Sequence, residues 1–557
     1  MPTNPTHLVV VCSPLFGHAR PTFNFCMNLL NEHPSLYISY VCTGTSSSTF
    51  TPPFEREMIL YNLKPEPRSR LNITLLGQGT LETTVDQIIS LFTLLPTFLG
   101  PLLGNQDAST ATDPFQRLPS ALMIEAGSFA VIDILDAVIA STPNPSLKIP
   151  ILAFFPTNAA VLNLYWIRKD EHPETYWPSI YKEAEQELAA GLHEGLTLGH
   201  VAFKVRVRPS GFFTTLFISN WVRLQIWCRP REILVKTPNL PPMYNYELNP
   251  QTEGMPTDPQ SFTVAQADLG KAITDRVSRI SGFFIHTSPL MEPEETADMA
   301  RTSPIQAFLH VGPQFPPQWW DEGIPKQVSV LSDEDQRTLS FLDDMESRYG
   351  KQSVLYISFG TLYVPSERPQ LFDALIKTIL AAEPPLPFVF AGAKSGGILS
   401  DSAKKLIEEC GRGLLADFVP QQALLKHDAT GFYLCHAGSN SISEAFLNGV
   451  PMVLWPYSFD QPLIANQVSV GLGLAFELIQ VRNGESAGKP THRGPIVQGT
   501  QEAVESEMTD IWNRMRGEEG QKMRERVIDF SKAMRADYKN GKARQAMNRI
   551  SELFFEN

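Results

Sequence analysis

Between Phe418 and Gln461 the chain reads FVPQQALLKHDATGFYLCHAGSNSISEAFLNGVPMVLWPYSFDQ. His436, Gly438, Asn440, Ser441, Glu444, Asp460 and Gln461 form a compact hydrogen-bonding set, interrupted by the apolar run Val450–Trp455, which reads as a buried strand. His436–Ser441 reads as a strand-to-helix turn. The first amides of a helix are unpaired and lie at the positive end of its dipole, so such a turn suits a phosphate. Gly438 permits close backbone approach, and His436, Asn440 and Ser441 add donors for a diphosphate. Glu444 suits ribose hydroxyls, and Asp460 with Gln461 suits a hexose. The set fits a nucleotide-linked sugar. Ser441-Ile442-Ser443-Glu444 also fits a capping box that only closes a helix start, and on those four residues alone the cap is favoured.

Moving a sugar onto a hydroxyl requires a base, and a neutral imidazole can take that proton near pH 7. His18 follows Gly17 in the loop Ser13–Ala19, at the carboxyl end of the apolar run Leu8–Cys12. A lone loop histidine is more often simply solvated, so position alone does not make His18 a base.

The Phe418–Gln461 segment resembles, without a gap, the donor signature of the family 1 UDP-glycosyltransferases of the plant secondary-metabolite type. Gln421, His427, Gly431, His436, Gly438, Asn440, Ser441, Glu444, Gly449, Pro451, Trp455, Pro456 and Gln461 fall on signature positions. The resemblance implies a GT-B fold: two Rossmann-like doubly wound α/β domains facing each other across a cleft. It implies that Phe418, where the family has a Trp, stacks on uracil, with Val419 and Gln421 also at the uridine. Glu444 would hold the ribose, and His436, Gly438, Ser439, Asn440 and Ser441 the diphosphate, with Ser439 replacing a family Trp. Ser358-Phe359-Gly360-Thr361 resembles the phosphate-side turn, so Ser358, Gly360 and Thr361 join the UDP site. Trp455, Asp460 and Gln461 fall on the sugar side, and Gln461 points to glucose, with xylose, galactose and N-acetylglucosamine left open.

The same resemblance makes His18 the catalytic base, in a matching Gly-His turn. Its carboxylate partner is Glu125 after Ala121–Ile124, where the family has Asp; Asp133 supports this alignment. The alternative is that Glu125 is structural and the dyad incomplete. Phe16, Gly17, Phe155 and Trp166 are expected at the acceptor pocket. The implied reaction is displacement with inversion, giving a β-O-glycoside of a small lipophilic terpenoid, sterol, phenolic or lipid. UDP-sugar is a co-substrate, and no cofactor or metal is implied. Asp333-Glu334-Asp335 has a DxD pattern, but Ser332 before it reads as a helix start, where acids are favoured by the dipole. Rival readings are a non-catalytic binder of UDP-sugar or hydrophobic ligands, and a sterol or glycolipid glucosyltransferase working at a membrane surface.

These groups must be positioned by two α/β series. In the first, the runs Leu8–Cys12, Tyr37–Cys42, Ile73–Leu76, Ala121–Ile124, Ile151–Phe155 and Gly282–His286 alternate with helical stretches. Pro21 opens the first of these helices. The aromatic-rich middle (166–260) reads as an insert lining the acceptor pocket, although most such rings are ordinary core. Pro241–Pro259 reads as an exposed loop, Ala265–Ile280 as a helix, and Val311–Lys326 as a Pro-rich linker. The second series has strands at Val354–Phe359, Phe388–Ala391, Gly431–Cys435 and Pro451–Trp455, helices at Pro369–Ala382 and Ser441–Asn448, and a helical tail over 501–555. The expected domains are 1–312 for the acceptor, 313–330 as linker, 331–530 for UDP-sugar, and a 531–557 helix packing back on the first.

At 557 residues the chain exceeds one core. Its net charge of −13 and the lack of a Lys/Arg cluster argue against nucleic acid as partner, so an anionic ligand must be held by local groups. Cys12, Cys26, Cys42, Cys228, Cys410 and Cys435 show no CxxC or metal spacing, which suits free thiols in a reducing, cytoplasmic setting. No basic n-region precedes the first apolar run, and no stretch reads as a spanning helix. Peripheral membrane contact stays possible, and a monomer is expected.

Overall fold

Strand β1 (Thr6–Val11) is a near-continuous apolar run because it is central in a sheet buried on both faces. The computed structural model describes residues 5–43, 65–77, 84–104, 111–125, 128–163, 177–193, 195–198, 201, 234–248, 250–251, 275–302, 305, 307–321, 332–360, 368–392, 398–483 and 486–555. Around β1 lie β2 (Leu36–Thr43), β3 (Leu71–Leu76), β4 (Ala121–Glu125) and β5 (Ile151–Phe155). After a separate hairpin, β6 (Leu234–Thr237) and β7 (Leu240–Tyr244), come β8 (Ile280–Ile285) and β9 (Ala307–His310). The sheet order is β3-β2-β1-β4-β5-β8-β9, all parallel. Side chains alternate between two cores. Val9 and Val11 join the face packed by α2 (Thr84–Gly104) and α3 (Val131–Ala140), while Leu8 and Val10 join the face packed by α1 (Phe16–Glu32).

The second sheet contains β10 (Val354–Ser358), β11 (Phe388–Ala391), β12 (Gly413–Ala416), β13 (Thr430–Cys435), β14 (Met452–Leu454) and β15 (Ala475–Glu477). Its order is β12-β11-β10-β13-β14-β15, again parallel. Helices α4 (Asp333–Tyr349), α5 (Pro369–Leu380) and α6 (Ser439–Leu447) pack around it. Both sheets are doubly wound, as expected. The strand order reverses at β1/β4 in the first and at β10/β13 in the second. Ligands of such sheets bind outside the carboxyl ends of strands at those switch points.

Several expectations change. The 501–555 tail is three helices, α7 (Gln501–Arg516), α8 (Glu518–Asn540) and α9 (Lys542–Phe554), which meet at Gly517 and Gly541. The helix that returns to the first sheet is α9. Its Ala546, Met547 and Ile550 complete the core under β1, and Arg544 pairs with Glu32. The expected linker begins as packed structure, because residues 311–316 are buried. Gln314 accepts from the Asn24 and Asn28 side chains, and Trp320 stacks on Tyr538 at 3.9 Å. Pro241–Gln251 is not an exposed loop. It carries β7, a short 3-10 turn, and the buried Glu247 and Gln251 that bond the C-terminal half. Of the expected 265–280 helix, residues 275–276 are helical and Val277–Arg279 is a 3-10 turn leading into β8, while 265–274 lie outside the described residues.

The DxD acids start α4, where Ser332 and Asp335 form a reciprocal capping box. Contrary to the sequence expectation, one helix among the described residues, within Gln87–Gly104 of α2, is long and apolar enough to cross a membrane by length and composition. Its Leu91, Leu95 and Leu99 are buried in the first domain's core.

Candidate active site

His18 stands in the first turn of α1, not in a loop, because the helix begins at Phe16 and runs through Pro21. Its Nδ1 lies 2.7 Å from Glu125 Oε2, at the end of β4. Glu125 is fully buried and rigidly held: its Oε1 accepts from the Ser13 amide and the Ser128 hydroxyl. The extra methylene over Asp is therefore accommodated. With Nδ1–H donating to the carboxylate, Nε2 is left as the basic nitrogen. The His18 side chain is one-third exposed. Burial lowers its pKa, but the charge and hydrogen bond of Glu125, helped by Asp460, outweigh this and hold it above the ordinary imidazole value. This dyad occupies the β1/β4 switch point.

At the β10/β13 switch point, the His436 ring is enclosed by two glycines. A Cβ on Gly360 would stand 2.7 Å from His436 Cε1, and one on Gly438 would stand 2.4 Å from Nε2. Gly438 was expected to let a ligand approach the backbone; here it makes room for the histidine. Burial pushes the His436 pKa down to about 4, so the ring is neutral. Ala437 and Phe459 adopt left-handed φ values of 64°, a conformation that non-glycine residues hold only under surrounding constraint. Buried polar atoms without a partner among the described residues recur just past strand ends: Ser13 Oγ, Asn158 Nδ2 and Oδ1, His436 Nδ1, Ser439 Oγ and Ser458 Oγ. Such orphans are rare in interiors, and others occur elsewhere among the described residues, as at Trp320 and Gln467.

Helix α6 is capped at Gly438 without a side chain, so Ser441 and Glu444 do not form a capping box. Instead Glu444 Oε2 accepts from Gln421 Nε2 at 2.6 Å, and Oε1 from Arg20 Nη1 at 2.5 Å. Gln421 Oε1 in turn accepts from the Tyr356 hydroxyl, and Ser441 Oγ from the Tyr433 hydroxyl. Asn440 reaches Gly17 O and His286 across the domains. Asp460 Oδ2 accepts from the Thr157 hydroxyl at 2.6 Å. Burial raises the Asp460 pKa against the opposing pull of Thr157 and His18.

Residues 338–482 match the sequence profile of the family described as UDP-glucoronosyl and UDP-glucosyl transferase. The match runs from within α4 to just past β15. Among curated relatives, the chain is 29% identical to the UDP-glycosyltransferase eriJ of Hericium erinaceus, over 46% of this chain and 61% of the relative. It is 26% identical to (R)-mandelonitrile beta-glucosyltransferase of Prunus dulcis, over 46% of this chain and 48% of the relative. The chain thus spans about half the length of the curated relatives it matches. In fold it is similar to UGT71G1 of Medicago truncatula, complexed with UDP-glucose (TM-score 0.64, 16% identity, 98% of each chain). It is similar also to UGT2 of Phytolacca americana, complexed with UDP-2fluoro-glucose and pterostilbene (TM-score 0.62, 17% identity, 99% of each chain). The two sheets are the GT-B pair.

The residues singled out in the sequence separate into two groups. His18, Gly17, Glu125, Asn440, Glu444, Gln421 and Asp460 are joined by the contacts above. Phe418 is 72% exposed and presents its ring, while Val419 is partly buried against the second core. Trp455 was expected to touch the sugar, but it is in the second core, stacked on Phe372, and shows no face to a ligand. Phe155 was expected at the acceptor pocket, but it is in the first core beside Phe283. Phe16 is exposed beside His18. Thr361 and Trp166 lie outside the described residues, as does most of the aromatic insert. The sequence reading missed Arg20, Thr157 and His286. Arg20 lies on the helix that carries His18, and His286 directly follows a strand end, the position that had singled out His18.

Proposed function

We propose that the chain is an inverting glycosyltransferase that moves a sugar, glucose by preference, from UDP to a hydroxyl of a small lipophilic acceptor. The observation that carries this is the His18–Glu125 dyad, abutting the donor helix α6 of the domain that matches the family profile. His18 Nε2 takes the acceptor proton as the oxygen attacks the anomeric carbon. The bond from that carbon to UDP breaks on the opposite face in the same step, the electron pair leaving with the diphosphate oxygen. The imidazolium is stabilised by Glu125, and the diphosphate charge by the α6 amides with His436, Ser439, Asn440 and Ser441. Phe418 offers a face for uracil, Glu444 for ribose, and Asp460 with Gln461 for the hexose. Gln461 Oε1 accepts the Tyr457 amide proton, which turns its NH₂ to a sugar hydroxyl. No metal role is assigned to Asp333–Asp335, since Asp335 is used in the cap. A cytoplasmic setting is supported by the free thiols of Cys12, Cys26, Cys42, Cys410 and Cys435.

The test is mass spectrometry of products from UDP-sugar and acceptor panels, with UDP release followed in parallel. His18→Ala should lower turnover by about 10²–10⁴-fold while UDP binding is kept. Equal turnover in both proteins would remove His18 as base.

A further inference from the structure

His286 follows β8 and is 1% exposed. The Gln314 amide donates to its Nδ1 at 3.3 Å, so the ring proton is on Nε2, which donates to Asn440 Oδ1 at 3.1 Å. That bond orients the Asn440 amide, whose Nδ2 donates to the Gly17 carbonyl at 2.9 Å. Gly17 O can receive it because of Pro21. The residue four positions on in a helix would normally return an N–H to that oxygen, and proline has none. A second contact lies one turn along each helix, where Arg20 meets Glu444. Gly17 and Arg20 are i, i+3 on α1, while Asn440 and Glu444 are i, i+4 on α6, so each pair shares one helix face. The helix of the proposed base is thus clasped to the donor helix at two points on either side of His18.

We propose that His286 and Asn440 are a positioning pair that seats the first turn of α1, and His18 with it, against the donor helix through the Gly17 carbonyl. The proposal rests on His18 being the base. Asn440 can serve this role and a phosphate together, because its carboxamide has two N–H donors and Gly17 takes one. Burial pushes the His286 pKa down to about 3, so its donor tautomer persists through the neutral range and brings no charge to the clasp.

The experiment compares wild type, His286→Leu and His286→Gln in the full chain. Leu removes the donor, and Gln places an N–H near the Nε2 position. The readouts are UDP affinity by calorimetry, UDP release from UDP-glucose, melting temperature, and amide hydrogen exchange over residues 16–22. The expected result for Leu is UDP affinity within about threefold of wild type, turnover down about 10–100-fold, as for reacting groups misplaced by about 1 Å, and faster exchange in the first turn of α1. Gln should restore both turnover and slow exchange. Wild-type turnover and exchange in the Leu variant would overturn the proposal, as would a loss of turnover that Gln, folded to the same melting temperature, fails to restore. A wild type that binds no UDP would instead remove the donor assignment, and the exchange readout would still decide the clasp.

Discussion

His18 and Glu125 meet because the sequence places each at a strand end and the sheet order makes those two strands neighbours. Glu125 and Asp460 are the carboxylates that raise the His18 pKa against burial. A base must be neutral to act, so activity should fall as pH drops through that raised value, on an acidic limb above the ordinary imidazole value of 6.5. In Glu125→Gln the negative charge is gone, which lowers the His18 pKa, so the acidic limb of kcat/KM should move to lower pH. Turnover should fall at the same time, by up to about 10⁴-fold where Gln imposes the wrong tautomer. A pH–rate profile of the variant checks both. An unmoved limb would show that Glu125 does not face the titrating group.

At the scale of the element, the turns after β10 and β13 interlock around His436. Gly438 is extended, with a φ of −66° open to any residue, so it is needed for space, not for backbone freedom. Gly438→Ala should therefore displace the ring and cost about 1–3 kcal/mol, as overpacking does. UDP affinity should weaken together with the melting temperature, whereas a change confined to stability would detach His436 from the donor site. Helix α1 teaches a related lesson. The sequence reading took Pro21 as a helix start, since proline suits a first turn, yet the helix begins at Phe16. Proline inside it frees one carbonyl, and tertiary structure supplies the partner.

At the scale of the molecule, the halves are joined by more than the clasp. Arg482 is buried between Glu247 of the β7 turn and Glu477 of β15, at 2.9 and 2.7 Å. Arg482→Ala would take the guanidinium from two buried carboxylates, of which Glu477 keeps Arg493, and removing one partner of a buried pair costs about 3–5 kcal/mol. Denaturant unfolding should show that loss, with the midpoint lowered. An unchanged midpoint would mean that water has replaced the guanidinium at little cost.

The sequence by itself determined the two α/β series, the donor segment and the base candidate, because strand runs, turn glycines and a gapless motif are local patterns. Local pattern also led to errors. Trp455, by motif position, and Phe155, at a strand end, were placed in pockets, yet they are core residues, since a strand's burial on each face depends on which helices cover it. The packed Pro241–Gln251 segment read as a loop because prolines advertise turns, while its partners lie more than two hundred residues away. Only the tertiary structure decided that Glu125 reaches His18, that Arg20 joins Glu444, and that His286 meets Asn440. Each of these contacts joins residues more than a hundred positions apart, and their meeting is set by sheet order and domain packing, which no spacing along the chain encodes.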